Sequence, residues 1–122
     1  MKSLAGKRIL VVEDEALVAA MLEDMLDELG VTVLGPAATI ARGLSLVQHE
    51  AIDAAVLDVN VRGERIDAIA EALRKRSIPI LFTTGYRDGG GTLTLGAPVL
   101  EKPYKLEDLK GALASVLDLD RT

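Results

Sequence analysis

The chain of 122 residues contains no cysteine, which removes disulfides, thiolate metal sites and a cysteine nucleophile from consideration and makes a reducing compartment the expected setting. Histidine is nearly as scarce. His49 is the only one, near the end of a helical stretch, and a solvated surface position is expected for it, not a phosphorelay or metal role. A basic patch is also missing: 14 Lys and Arg are scattered among 19 Asp and Glu, for a net charge of −5, so nucleic acid is not an expected direct partner. Long apolar runs are absent. The one that follows Lys7 and Arg8 meets Glu13 after four residues, well short of a signal-peptide core or a membrane span, so a cytoplasmic protein is expected. With no internal repeat, low-complexity tract or linker, and 49% hydrophobic residues, the expectation is one domain over residues 1–122.

What is present is alternation. Short β-branched runs take turns with longer stretches of helical period, the pattern of βαβ units around a parallel sheet. Strands are expected at residues 8–12, 31–34, 52–59, 80–83 and 97–100. Leu17, Met21, Met25 and Leu29, with Val18, Leu22 and Leu26 beside them, read as one helical stripe ending at Gly30 with Asp14 as N-cap, and the two methionines read as core. The second strand is closed by Gly35-Pro36, and Thr39 opens a helix through Ile40, Leu44 and Val47. Residues 65–76 have helical spacing at Ile66, Ile69, Ala70 and Leu73, and Arg74, Lys75 and Arg76 read as a solvated end that complements the helix dipole. Leu106, Leu109, Leu113, Val116 and Leu117 make a closing amphipathic helix. Between the last two strands, residues 86–96 hold Gly89-Gly90-Gly91 and offer only Leu93 and Leu95 for burial, so a short, frayed or absent fourth helix is expected.

The chemistry-bearing residues fall at strand ends. Glu13 and Asp14 follow the first apolar run, Asp58 the third, and Lys102 the last. In a parallel sheet those ends share one edge, where open α/β sheets place ligands. The residues would therefore converge into one acidic pocket with one ammonium. Carboxylates gathered this way repel phosphate unless a cation bridges them, and Mg²⁺, with its preference for hard oxygen ligands and substrate phosphates, is the natural choice. Asp58 can then attack a phosphoryl group to form an acyl phosphate, while Lys102 neutralises a transferring oxygen. Plainer readings exist for each part. An acidic pair ahead of a helix is commonly a cap and a dipole complement, and Asp58 alone is an ordinary strand-end carboxylate.

In combination, Val11-Val12-Glu13-Asp14-Glu15, Leu57-Asp58-Val59-Asn60, Phe82-Thr83-Thr84-Gly85-Tyr86 and Glu101-Lys102-Pro103-Tyr104 resemble the receiver domain of two-component response regulators, essentially end to end. The resemblance implies a flavodoxin-like (βα)5 three-layer sandwich with a parallel sheet in order 2-1-3-4-5. It also implies phosphoryl transfer from a histidine kinase or histidine phosphotransfer protein onto Asp58. By the same resemblance, Asp14 and Asp58 bind Mg²⁺ directly, Glu13 binds through water, and the backbone carbonyl of Asn60 completes the protein ligands. Thr84 would sense the phosphoryl group, in preference to Thr83, and Lys102-Pro103 would be a cis peptide.

Two departures from the common receiver pattern stand out. Val99 occupies the strand-five position that often carries a switching Tyr or Phe, and Arg62 replaces the proline four residues after the phosphorylated aspartate. The Phe-x-Thr-Gly-Tyr arrangement is similar to a subfamily, often free-standing, named for a Phe-Ala-Thr-Gly-Gly/Tyr motif, although Thr83 stands where that motif has alanine. This makes Tyr86 a second switch candidate beside Thr84, acting through a reorganised 86–96 segment. The implied role is a stand-alone response regulator, monomeric or weakly dimeric, that switches a downstream protein partner or works as a phosphate shuttle or sink. It assists only its own phosphorylation and dephosphorylation and is not otherwise an enzyme. Alternatives are a receiver excised from a hybrid kinase or longer regulator, and an unphosphorylated interaction module. A magnesium-dependent phosphatase fits less well, because Asn60 stands where it wants a second aspartate.

Overall fold

The computed structural model describes residues 3–61, 64–85 and 97–118, without the side chains of residues 60, 64 and 65. Among them are seven strands and four helices: β1 (Arg8–Val12), α1 (Ala16–Glu28), β2 (Thr32–Ala37), α2 (Ile40–His49), β3 (Ala54–Asp58), β4 (Asn60–Val61), β5 (Glu64–Arg65), α3 (Asp67–Lys75), β6 (Ile80–Thr84), β7 (Val99–Glu101) and α4 (Leu106–Val116). The main sheet is parallel, in the order β2-β1-β3-β6-β7. Leaving aside the β4–β5 hairpin, that is the expected 2-1-3-4-5. The expectation for a fourth helix in 86–96, like that for Tyr86, lies outside the described residues.

Side chains alternate across the sheet and build two cores. Leu10, Val12, Ala55, Leu57 and Phe82 pack with Leu46 and Val47 of α2 and with Ile69 and Leu73 of α3. Ile9, Val11, Val56 and Leu81 pack on the other face with Leu22 and Leu26 of α1 and with Leu109 and Leu113 of α4. All five residues of β3 are buried, as a central parallel strand covered on both faces requires, which is why its first four, Ala54 to Leu57, form an unbroken apolar run instead of an alternation.

Several expectations are corrected. Strand β2 does not stop before Gly35-Pro36 but runs through it to Ala37; β2 is an edge strand, and a proline there forfeits no ladder bond. Gly35 has φ +99, and a Cβ on it would lie 2.7 Å from the amide nitrogen of Ala37 and 2.9 Å from the Val11 carbonyl oxygen, so only glycine fits. The register of β1 on β2 shifts at this point, bringing Ala37 opposite Val12.

Helix α1 is capped at Glu15, without a side-chain bond, and not by Asp14. It buries Ala19, Leu22 and Leu26, while Leu17 is 74% and Met21 53% exposed. With apolar residues on most sides, the helix seats the line that includes small Ala19 on the sheet, and Met21 is not core. Arg65, expected in the third helix, is instead in the hairpin, where it pairs with Asn60. Arg76 is more than a solvated helix end, since its guanidinium donates to the carbonyls of Val47 and Glu50 at the end of α2. Thr39 does cap α2, its hydroxyl accepting from the Arg42 amide at 3.1 Å, and His49 is exposed.

Candidate functional site

The carboxyl edge of the sheet collects the charged residues because the ladder continues into them. The Glu13 amide donates to the Ala37 carbonyl at 2.9 Å, that of Val59 to Thr83 at 3.1 Å, and that of Lys102 to Thr84 at 2.8 Å. Each residue next to a strand end is therefore held by its neighbour's backbone, which fixes where its side chain starts. Carboxylate oxygens of Glu13, Asp14 and Asp58 lie within 4.8 Å of one another. Glu13 is 3% and Asp58 4% exposed, and Asp14 is half-buried.

Lys102 reaches into this group. Its ammonium donates to Glu13 Oε1 at 2.7 Å and stands 3.5 Å from Asp58 Oδ2. The first distance is that of a charge-assisted hydrogen bond and the second that of a looser ion pair. Glu13 is oriented from both sides, because its Oε2 accepts from the Glu15 amide at 3.2 Å. Burial, the largest single influence, pushes the Lys102 pKa down. The hydrogen bond to Glu13 and the charges of Asp58 and Glu13 outweigh it, so that the pKa is raised overall. Among the described residues, three carboxylates thus gather at one place, and the Lys102 ammonium reaches two of them, Glu13 and Asp58.

Thr84 ends β6 beside Lys102, half-buried, with its hydroxyl donating to the Gly85 carbonyl at 3.3 Å. Thr83 is buried and pairs with Asp58 in the ladder. Asn60 follows Asp58 by two residues and opens the β4–β5 hairpin. The Lys102-Pro103 peptide is cis, as is Gly35-Pro36. Glu13, Asp14, Asp58 and Lys102 therefore come together in space, Thr84 adjoins them through the backbone, and Tyr86 is outside the described residues. One neighbour has no role that the sequence alone suggests. Tyr104 is half-buried, and its phenol pKa is raised by burial, opposed by the charge of Lys102 and reinforced by those of Glu13 and Asp58. Its position two residues after the lysine is the only available signal.

The profile of the response regulator receiver domain matches residues 9–114. The chain belongs to that family. Among solved structures, the receiver is similar to SdrG from Sphingomonas melonis Fr1, with 44% identity, a TM-score of 0.84, and 95% of this chain and 99% of that one covered. The BeF3-activated conformation of SdrG from Pseudomonas melonis Fr1 also matches at 44% identity, with a TM-score of 0.77 and 96% and 99% covered. Among curated proteins, the transcriptional regulatory protein PdtaR of Mycobacterium tuberculosis is 32% identical over 117 residues, covering 88% of this chain and 55% of that protein. The chain thus spans about half the length of that relative. The receiver fold is that of a signalling phosphoacceptor in two-component systems, and no described helix is long and apolar enough to cross a membrane.

Proposed function

We propose that Asp58 is the phosphoacceptor of this receiver and that Glu13, Asp14 and Asp58, with the backbone carbonyl of Asn60, hold Mg²⁺. The donor set fits the ion. Three hard-oxygen side chains lie within 4.8 Å of one another, and Mg²⁺ wants oxygen ligands and usually shares its shell with water and phosphate. When bound, the ion supplies charge neutralisation for the oxygens of the transferring phosphoryl group.

The chain's own groups do the rest. A carboxylate oxygen of Asp58, fixed at the end of β3, attacks phosphorus. A P–O bond to the aspartate forms as the bond to the donor's imidazole nitrogen breaks, and the donor keeps that electron pair. Lys102, already 3.5 Å from Asp58, moves its ammonium from Glu13 toward the new phosphoryl oxygens. Thr84 donates its hydroxyl to one of them and so reports the modified state. The donor class is a histidine kinase or histidine phosphotransfer protein, and the setting is the cytoplasm, where a cysteine-free chain has no redox requirement. The receiver serves as a phosphorylation-driven switch, or as a shuttle or sink for phosphate. The BeF3-activated conformation described for SdrG supports the view that a phosphoryl mimic at such a site changes the conformation.

The single observation that carries this reading is the convergence of Glu13, Asp14, Asp58 and Lys102 on one buried spot. Incubation with acetyl phosphate and Mg²⁺ followed by intact mass should show one added phosphoryl group on the wild type and none on Asp58→Asn. Equal labelling of both would refute the assignment.

A further inference from the structure

Lys102 belongs to two places at once. Its ammonium is in the acidic pocket, bonded to Glu13 at 2.7 Å. The same residue lines a groove of about 330 Å³ on the α1 side together with Val18, Met21, Leu22, Met25, Pro103 and Tyr104. Lys102 keeps only 17% of its side chain exposed, so the apolar groove wall shields most of its stem. A lysine stem has four rotatable bonds and no preferred aim. Something must hold this one over two carboxylates when the pocket fills or empties.

We propose that Tyr104 is a positioning residue for Lys102. Its ring, packed against the α1–α4 core, closes the groove side of the lysine and keeps the ammonium directed at Glu13 and Asp58. Tyr104 is itself well anchored, because it packs on the cluster that holds Leu22, Leu26, Leu109 and Leu113, two of them on each helix. Its phenol feels the charges of Lys102, Glu13 and Asp58, which places the ring within electrostatic reach of all three. Among the described residues its hydroxyl makes no hydrogen bond, so the ring is the working part and the oxygen is dispensable. A polar residue at position 104 would admit water to the stem and loosen the ion pair. The aromatic ring excludes that water and removes conformers in which the ammonium swings out along the groove.

This inference rests on Asp58 being the phosphoacceptor, and the test separates the two. Phosphorylation by acetyl phosphate with Mg²⁺ is followed by intact mass for wild type, Tyr104→Phe, Tyr104→Ala, Lys102→Ala and the double variant, with folding checked by circular dichroism. Tyr104→Ala should lower kcat/KM about tenfold, and Tyr104→Phe should restore the wild-type rate. The double variant should be no slower than Lys102→Ala alone, because a residue that acts through the lysine has no effect once the lysine is gone. Additive losses in the double variant, or a wild-type rate in Tyr104→Ala, would overturn the inference alone. A wild type that takes up no phosphoryl group would overturn it together with the phosphoacceptor assignment. Should Tyr104→Ala fail to fold, Tyr104→Leu carries the same comparison, since it fills the core without supplying the flat ring.

Discussion

The two edges of the sheet handle charge in opposite ways. At the amino edge, opposite charges meet singly and in partial contact with water. Arg8 binds Glu50 at 3.3 Å and the Ala51 carbonyl at 2.7 Å, its amide binds Asp53 at 2.8 Å, and Arg76 ties down the end of α2. At the carboxyl edge, Glu13, Asp14 and Asp58 gather within 4.8 Å of one another, two of the three carboxylates almost fully buried, and Lys102 pairs with Glu13 and Asp58. Both edges come from the same alternating fold, so topology does not account for the difference. The amino edge stabilises the fold with ordinary pairs, whereas the carboxyl edge holds three carboxylates at close range, like charges that repel one another and suit a cation and a phosphoryl group.

The contrast can be broken by mutation. Lys102→Ala leaves Glu13 and Asp58 buried without their ammonium and should cost about 3 kcal/mol in urea denaturation without divalent ions. The pH dependence has a definite sign. The folded pKa of Lys102 lies above its usual 10.5, so the pairing is fully present below that value and is lost as pH rises through the raised one. Wild type should therefore lose stability over that alkaline window, and Lys102→Ala should lose less. Asp58→Asn acts in the opposite direction. By removing one of three like charges it should raise stability by about 1 kcal/mol without Mg²⁺ and reduce the gain that Mg²⁺ confers. A destabilised Asp58→Asn would mean that its pairing with Lys102 outweighs the repulsion. The smallest effect belongs to the amino edge, where Arg8→Ala should cost about 1 kcal/mol or less, because both partners are roughly 40% exposed and such pairs are screened.

The carboxyl edge is largely legible in the sequence and the helix surfaces are not. Apolar runs ending at Glu13 and Asp58 define strand ends directly, since a parallel strand buried on both faces has no polar alternation to blur its limits, whereas the edge strand β7, exposed at Val99 and Glu101, is read only from the short run before Lys102. Their convergence then follows from strand order. The β4–β5 hairpin escapes a sequence reading because two-residue strands carry no periodicity. Strand β2 reads as ending before Pro36 because the sequence does not reveal that it lies at an edge. In α1 the apolar residues exceed one stripe, so the pattern allows several buried lines. The one that forms, through Ala19, Leu22 and Leu26, depends on close approach to the sheet, which leaves Met21 to the groove. Tyr104 is part of the Glu101-Lys102-Pro103-Tyr104 motif, but the motif does not say what the ring does, because that depends on what it packs against.

The claim on which everything turns is that the carboxyl-edge cluster is built for a divalent cation while the amino edge is not. A Mg²⁺ titration followed by amide chemical shifts tests it most directly. Saturable shifts at Glu13, Asp14, Asp58 and Val59, with Glu50 and Asp53 unmoved, are the predicted result. Absence of saturable change at the carboxyl edge, or equal change at both edges, would contradict the account.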